Sequence, residues 1–144
     1  MTDEMGVTVG DCVDVMARMG AESVDAVVCD PPYGLSREPD IEEVLRHWLA
    51  REDYVHRGGG FMGKTWDSFV PGPSVWREAL RVLKPGGHAL VFGGTRTYDL
   101  QVLALRMAGF EIRDSVAYFN TPEGGDAKES SGGPLAWVYG SGFP

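Results

Sequence analysis

The chain has few cysteines, few basic residues and no long hydrophobic run. No apolar stretch approaches the roughly 18 residues of a membrane span, and the amino terminus, Met1-Thr2-Asp3-Glu4, lacks the basic and apolar regions of a signal peptide. Cys12 and Cys29 are the two cysteines, and we interpret both as small core residues rather than disulfide partners or nucleophiles. These absences indicate a cytoplasmic protein.

Positive charge is scarce, with 13 lysines and arginines against 21 acids and a net charge of −8. Phosphate contacts need lysine and arginine, so this excess of acidic residues argues against a chain whose main function is to bind nucleic acid. Basic residues nevertheless gather after residue 43, namely Arg46, His47, Arg51, His56, Arg57 and Lys64. Arg46 and Arg51 fit the solvated face of a helix equally well, whereas Arg57 and Lys64 lie among glycines and are better nucleic-acid candidates. The histidines share no metal-ligand spacing, so no metal site is predicted.

One segment carries most of the chemical information. Val24–Cys29 is rich in β-branched residues and nearly all apolar, which predicts a strand buried on both faces. Pro31 and Pro32 remove two backbone donors and keep the residues before them out of the helical region, so the strand must stop at Asp30. The Asp30 carboxylate is therefore held at the carboxyl end of a buried strand, where ligands bind in open α/β sheets. Tyr33 places a flat aromatic face beside it.

Asp-Pro-Pro-Tyr suits a planar ligand that bears an amino group, such as a nucleobase. Asp30 and the Pro31 carbonyl can each accept a hydrogen bond from an exocyclic amine, because a carboxylate is an acceptor only. Tyr33 can stack on the ring, an interaction worth roughly 1–3 kcal/mol per base. The alternative is an ordinary turn in which Asp30 is a loop acid and Tyr33 covers the core.

Helix and strand signals alternate along one compact domain, which predicts a mostly parallel sheet with crossover helices. The predicted strands are Val7–Val9, Val24–Cys29, Ala89–Phe92, Ile112–Phe119 and Leu135–Tyr139, the last antiparallel to its predecessor. The predicted helices run from an N-cap at Asp11 to Met19, over 40–51, from Ser74 to Leu83 and from Thr97 to Ala108. Gly93-Gly94 with Asp114 also admits a dinucleotide site, but the G-x-G-x-x-G pattern is incomplete.

Asp30-Pro31-Pro32-Tyr33 resembles the signature of the amino-group DNA methyltransferases, which use S-adenosylmethionine. Further segments are similar to phage and prophage adenine methyltransferases and follow the family's order: 10–12, 23–34, 60–67, 76–88, 92–98 and 139–144. The resemblance implies an α/β fold with a Rossmann-like methyltransferase sheet, mostly parallel, with an antiparallel end strand. The sheet is expected to be incomplete, because the family's target-recognition region and its F-x-G-x-G cofactor motif are absent from residues 1–144.

The resemblance also implies a reaction and site residues. Methyl transfer to N6 of a flipped adenine in double-stranded DNA is expected, and cytosine N4 stays open although Asp at the first position is more usual for adenine. Asp30 and the Pro31 carbonyl orient the amine, Pro32 stiffens the loop and Tyr33 stacks. Gly10, Asp11 and Cys12 are the cofactor candidates, although Asp11 is explained equally well as a helix cap. Arg57, Lys64 and Arg96 are the DNA candidates.

Two other interpretations of the chain stay open. It is either half of a split enzyme, whose cofactor pocket a second polypeptide or a homodimer completes, or a truncated remnant that folds and binds nucleic acid without turnover. Apolar surface exposed at the sheet edge favours the split enzyme, because missing strands leave unpaired backbone and uncovered side chains.

Overall fold

The computed structural model describes residues 6–34, 38–56, 65–116 and 135–139. Helices and strands alternate through most of them, as the sequence predicts. In chain order the elements are α1 Cys12–Ala17, β1 Val24–Cys29, α2 Ile41–Leu49, a short 3-10 turn Thr65–Asp67, α3 Pro73–Val82, β2 Leu83–Phe92, α4 Tyr98–Ala108, β3 Glu111–Val116 and β4 Leu135–Tyr139. The predicted class, α/β, is confirmed.

These strands form one sheet in the order β1-β2-β4-β3. β1 pairs with β2 in parallel, whereas β4 pairs antiparallel with both β2 and β3. Consequently β1, β2 and β3 run in one direction and β4 runs against them. The last strand is antiparallel to its predecessor, as predicted, but it lies inside the sheet, between β2 and β3.

The helix ends follow local sequence signals. Asp11 caps α1 and Asp40 caps α2 through side-chain bonds to backbone amides, and Pro73 occupies the first turn of α3. Gly109 ends α4 in the left-handed conformation, with φ 113°. The predicted boundaries differ by one or two residues: α1 ends at Ala17 rather than Met19, α2 covers Ile41–Leu49 rather than 40–51, α3 covers Pro73–Val82 rather than Ser74–Leu83, and α4 begins at Tyr98 rather than Thr97.

The core lies where the helices meet the central strand β2. It contains Val44 and Trp48 from α2, Trp76 and Ala79 from α3, Ala89 and Val91 from β2, and Leu100, Ala104 and Leu105 from α4. Within β2, buried Ala89 and Val91 alternate with less buried neighbours, as expected of a strand with one face on the core. No helix among the described residues is long and apolar enough to cross a membrane.

Three predictions about the first part of the chain were wrong. No residue of β1 is fully buried, and Val28 is 68% exposed, because among the described strands β1 lies at the edge of the sheet and pairs with β2 alone. Val7–Val9 forms no strand, and both valines are 92% exposed. Cys12 is exposed, because α1 buries none of its residues, so it is not a core residue.

β2 also begins earlier than the predicted Ala89. Its first residue, Leu83, is aligned with Val24 of β1, and the register shifts before Ala26 is aligned with His88. The segment Pro85-Gly86-Gly87, which signals a helix stop in the sequence, is accommodated at this irregularity, with Gly86 at φ 78°. The Pro85-Gly86-Gly87 segment correctly predicted that α3 ends before it, but it did not predict that Leu83 already pairs with Val24 of β1.

Candidate functional site

The Asp30–Tyr33 loop starts where β1 ends, next to the carboxyl end of β2. Because the two strands are parallel, the loops that follow them meet at the same edge of the sheet. Gly94, just after β2, lies so close that a Cβ on it would be 3.1 Å from the Tyr33 Cβ. The exposed Asp30 carboxylate stands at this edge, as the sequence predicts.

Two buried side chains hold the backbone of Tyr33. The Asp67 Oδ1 oxygen accepts hydrogen bonds from the Tyr33 amide at 2.9 Å and from the Gly34 amide at 3.3 Å. On the other side, the Thr97 hydroxyl donates to the Tyr33 carbonyl at 2.5 Å. Gly34 has φ 68°, and a Cβ there would lie 3.2 Å from the Phe69 Cα, so glycine is required by both conformation and space.

The side chains of Asp30 and Tyr33 are joined. The Tyr33 hydroxyl donates a hydrogen bond to Asp30 Oδ1. Burial, this hydrogen bond and the negative charges of Asp30 and Asp67 raise the pKa of Tyr33 to about 12. The phenol is therefore a neutral donor at neutral pH. The sequence analysis gives Asp30 and Tyr33 different roles, whereas in the structure their side chains are hydrogen-bonded to each other.

Cys29, the last residue of β1, remains a neutral thiol. Burial, followed by the nearby Asp30 carboxylate and by Cys12, raises its pKa to about 11. A thiol with a raised pKa is a poor nucleophile at neutral pH. This agrees with the prediction that Cys29 is not a catalytic nucleophile.

Asp11 lines a cavity of about 520 Å³. The ring side chains of Tyr54, His56 and Phe69 line it as well. Asp11 Oδ1 caps α1 by accepting from the Val13 amide at 2.9 Å and the Asp14 amide at 3.3 Å. Gly10 and Cys12 flank Asp11 and are exposed, but neither lines this cavity.

Arg96 lines a second cavity, of about 450 Å³, directly beside the Asp30–Tyr33 loop. Gly34, which follows the loop, and Thr97, which supports it, line the same cavity, as do Glu38, Pro39, Ile41, Asp99 and Leu100. The structure thus brings the predicted DNA candidate Arg96 close to the Asp30–Tyr33 loop. Arg57 and Lys64 lie outside the described residues.

The segment 67–70 lies between the two cavities. Phe69 and Val70 line the Asp11 cavity, and their backbone packs against Gly34, which lines the Arg96 cavity. Asp67 and Thr97 were missed as site residues by sequence reasoning. Asp67 lies in a segment that resembles the family, 60–67, but the contact that it makes spans 34 residues. Among the described residues, no cluster of three or more His, Cys, Asp or Glu side chains could hold a metal ion.

Comparisons with known proteins give consistent results. The Type II methyltransferase M.SfiI of Streptomyces fimbriatus is 29% identical over 99 residues, which are 69% of this chain and 20% of that protein. TTHA0409 of Thermus thermophilus, provisionally assigned as a DNA modification methylase, superposes with a TM-score of 0.55 at 22% identity. That superposition covers 94% of this chain and 52% of TTHA0409.

A crystal structure of TTHA0409 complexed with S-adenosyl-L-methionine superposes equally well, with a TM-score of 0.55 at 21% identity, over 94% of this chain and 53% of that one. At this identity the likeness establishes the fold. The chain spans about half the length of this solved relative and a fifth of the curated one. The model of the DNA methylase family that comprises the N6 and N4 enzymes matches residues 24–134, more than half of the chain. The chain therefore belongs to the N6/N4 DNA methylase family.

Proposed function

We propose that the chain is the catalytic part of a DNA methyltransferase that methylates the exocyclic N6 of a flipped adenine in double-stranded DNA. The observation that carries this proposal is the Asp30–Tyr33 loop, held at the carboxyl end of β1 by buried side chains and with the Asp30 carboxylate exposed. The family match to residues 24–134 supports amino-group methylation of DNA. The expected setting is the cytoplasm.

Asp30 and the Pro31 carbonyl act on the target amine. Both accept hydrogen bonds from it, which draws the nitrogen lone pair out of conjugation with the ring and aims it at an electrophile. Tyr33 occupies one oxygen of Asp30, but a carboxylate has about four acceptor sites, so capacity for the amine remains. The chain contributes positioning and electrostatics, and no covalent intermediate forms on it.

The Asp11 cavity fits a nucleoside cofactor. Its volume of about 520 Å³ lies in the usual range for small-molecule sites, and the rings of Tyr54 and Phe69 suit a planar base. The His56 Nε2 atom is buried and has no hydrogen-bond partner among the described residues, and Asp11 keeps an oxygen beyond its cap bonds. S-adenosylmethionine supplies an electrophilic methyl group. Asp11 is the proposed cofactor residue that lines this cavity, and its exposed neighbours Gly10 and Cys12, which do not line it, stay proposed cofactor contacts.

Arg96 is the proposed contact to a DNA phosphate near the flipped base, together with Arg57 and Lys64. Arg96 is exposed and lines the cavity beside Gly34 and Thr97, so a phosphate bound there lies next to the catalytic loop. A guanidinium matches phosphate geometry through paired donors. Because the chain carries a net charge of −8, we expect these local cations to matter more than overall charge.

N4 methylation of cytosine is the second candidate for the reaction. The family comprises both activities, and the same acceptors serve either amine. Asp rather than Ser at position 30 supports adenine by resemblance. Analysis of the methylated nucleosides in the product DNA separates the two.

A split-enzyme subunit is the second candidate for the chain's state. The β1 edge is unpaired among the described strands, and Val28 on it is largely exposed. Such an edge is suited to pairing with another strand. In this case a second polypeptide or a second copy completes the cofactor pocket.

The test combines calorimetric titration with S-adenosylmethionine and transfer of a labelled methyl group to DNA. We expect Asp30→Ala to bind the cofactor like the wild type and to lose at least about a hundredfold in transfer, the cost typical of one key stabilising group. Asp11→Ala is expected to weaken cofactor binding instead. Asp114→Asn, on β3, is the matched control and is expected to behave as wild type.

The outcomes separate the candidates. Transfer by the chain alone, lost in Asp30→Ala, supports the enzyme. Cofactor binding and transfer that appear only with a partner polypeptide support the split enzyme. Transfer that persists in Asp30→Ala contradicts the proposed role of the loop, and absence of binding and transfer in every combination contradicts the enzyme.

A further inference from the structure

Asp67 makes a contact that its position in a short 3-10 turn does not require. Its carboxylate is 5% exposed, and one oxygen accepts from two successive amides, those of Tyr33 and Gly34. A buried carboxylate is costly unless it is hydrogen-bonded, and these two amides supply its partners. The contact joins the catalytic loop to a segment 34 residues away.

Thr97 makes the complementary contact from another element. It directly precedes α4, yet its hydroxyl does not cap that helix and instead donates to the Tyr33 carbonyl at 2.5 Å. The amide and the carbonyl of one residue are therefore held by two buried side chains from separate parts of the chain. Gly94 also packs against Tyr33, and a Cβ at position 94 would lie only 3.1 Å from the Tyr33 Cβ.

This arrangement fixes the direction of the Tyr33 side chain. With both backbone polar atoms held, the hydroxyl lies on Asp30 Oδ1. The protein's own side chains therefore hold the loop, and a site that is held in place avoids reorganisation when the reaction occurs.

We propose that Asp67 and Thr97 are positioning residues that hold the Asp30–Tyr33 loop in its reactive conformation. The proposal rests on the proposed function, because it assigns these two residues to the same site. Asp67 lines neither cavity, and Thr97 does not line the Asp11 cavity. Their effect is transmitted through the backbone of Tyr33.

A merely structural role predicts lost stability and an unchanged Tyr33 environment in whatever folded protein remains. A positioning role predicts that the Tyr33 phenol changes while the fold persists. The pKa of Tyr33 is raised to about 12 by burial, by its bond to Asp30 and by the charges of Asp30 and Asp67; burial and the bond depend on the loop conformation, whereas the Asp67 charge acts directly. The ionisation of this phenol therefore reports the position of the loop.

The experiment follows the ring-carbon NMR signals of the chain labelled at tyrosine Cζ, with Tyr33 assigned from Tyr33→Phe. At pH 11 we expect Tyr33 to be largely protonated in the wild type and largely ionised in Asp67→Ala, whose phenol returns toward its ordinary pKa near 10. Asp67→Asn keeps an acceptor oxygen for the two amides and removes only the charge, the smallest cause of the raised pKa. It is expected to ionise Tyr33 much less than Asp67→Ala does, and the difference between the two variants measures positioning. Circular dichroism at the same pH verifies folding.

Asp40→Ala is the matched control. Asp40 Oδ1 also accepts from two successive amides, at 2.9 and 3.3 Å, but at the start of α2. Its loss removes the same kind and number of bonds, so a general loss of stability predicts equal effects of Asp40→Ala and Asp67→Ala on Tyr33. Positioning predicts that Asp40→Ala leaves the Tyr33 signal unchanged.

Thr97→Val tests the other half of the arrangement and serves if Asp67→Ala does not fold. It keeps the size of Thr97 and removes the hydroxyl, and we expect the same increase in Tyr33 ionisation, with Thr97→Ser close to the wild type. Folded variants with wild-type ionisation of Tyr33 overturn the proposal. The readout requires neither cofactor nor DNA, so a failure of methyl transfer with a positive NMR result rejects the proposed function alone.

Discussion

Cys29 couples the folding of the chain to alkaline pH. Burial and the neighbouring Asp30 raise the pKa of its thiol from 9.0 to about 11. Between these values the unfolded chain releases a proton that the folded chain retains, so the unfolded state is favoured as pH rises. The contribution of this thiol to stability is complete below about pH 9 and is lost as the pH approaches 11.

We therefore predict that Cys29→Ala removes part of the alkaline loss of stability. Thermal unfolding midpoints are measured from neutral pH to pH 11 for both proteins, and the wild type is expected to fall more steeply above pH 9. The substitution also lowers stability by a constant amount, so the slopes are compared rather than the midpoints. Cys12→Ala, at an exposed position, removes only the smallest of the three causes of the Cys29 shift and is expected to keep most of the wild-type slope. Equal slopes for Cys29→Ala and the wild type contradict the prediction.

At the residue scale, the sequence predicted the local geometry that adjacent residues determine. Asp30, Pro31, Pro32 and Tyr33 restrict one another locally, so the end of the strand and the exposed carboxylate followed from them. Their support did not follow, because Asp67 and Thr97 lie 34 and 64 residues from Tyr33. Only the fold brings these side chains to the loop.

At the scale of elements, α1 depends on a side chain of α3. None of its six residues is fully buried, although Met16 packs against the core, and a helix this short is marginal on its own. Arg81 of α3 donates to the Met16 carbonyl at 2.6 Å and the Met19 carbonyl at 3.0 Å, at the carboxyl end of α1. A cation at that end also complements the helix dipole.

Arg81→Met is predicted to destabilise α1 selectively. We expect a loss of about 1.5–3 kcal/mol in the free energy of unfolding, the range for hydrogen bonds to a charged group. Amide exchange in Cys12–Ala17 is expected to accelerate more than exchange in α4. Glu78→Gln, which weakens the Glu78–Arg81 ion pair of 2.9 Å and leaves the bonds to α1, is the control. Equal effects of the two substitutions on α1 exchange contradict this role of Arg81.

The sequence predicted which segments form helices and strands better than it predicted which strands pair with each other. Caps and stops such as Asp11 and Gly109 act within a few residues, so the helices were placed within one or two residues of their ends. The burial of β1 was mispredicted because an apolar run indicates what a strand can bury, whereas its position at an edge is decided by pairing. The early start of β2 at Leu83 likewise depends on Val24 across the sheet.

At the scale of the whole molecule, the sheet has one edge that suits a partner. The two edges of the described sheet are β1 and β3, and β1 combines an unpaired backbone with a Val28 that is 68% exposed. In TTHA0409, which has the same fold, the superposed region is about half of a longer chain. The family segments in the sequence indicated a catalytic half, but only the strand order identifies the edge that a further strand can extend.

We predict that the chain associates through this edge. Sedimentation velocity over a range of concentrations is expected to show self-association of the wild type, because an open edge strand with exposed apolar side chains favours pairing. Val28→Lys is expected to reduce association without lowering the unfolding midpoint, since the side chain is already exposed. Leu49→Lys, at a 76% exposed position on α2, is the control and is expected to associate as the wild type does. Equal association of both variants, or a wild type that stays monomeric at every concentration, contradicts an interface at β1 and favours a chain that functions alone.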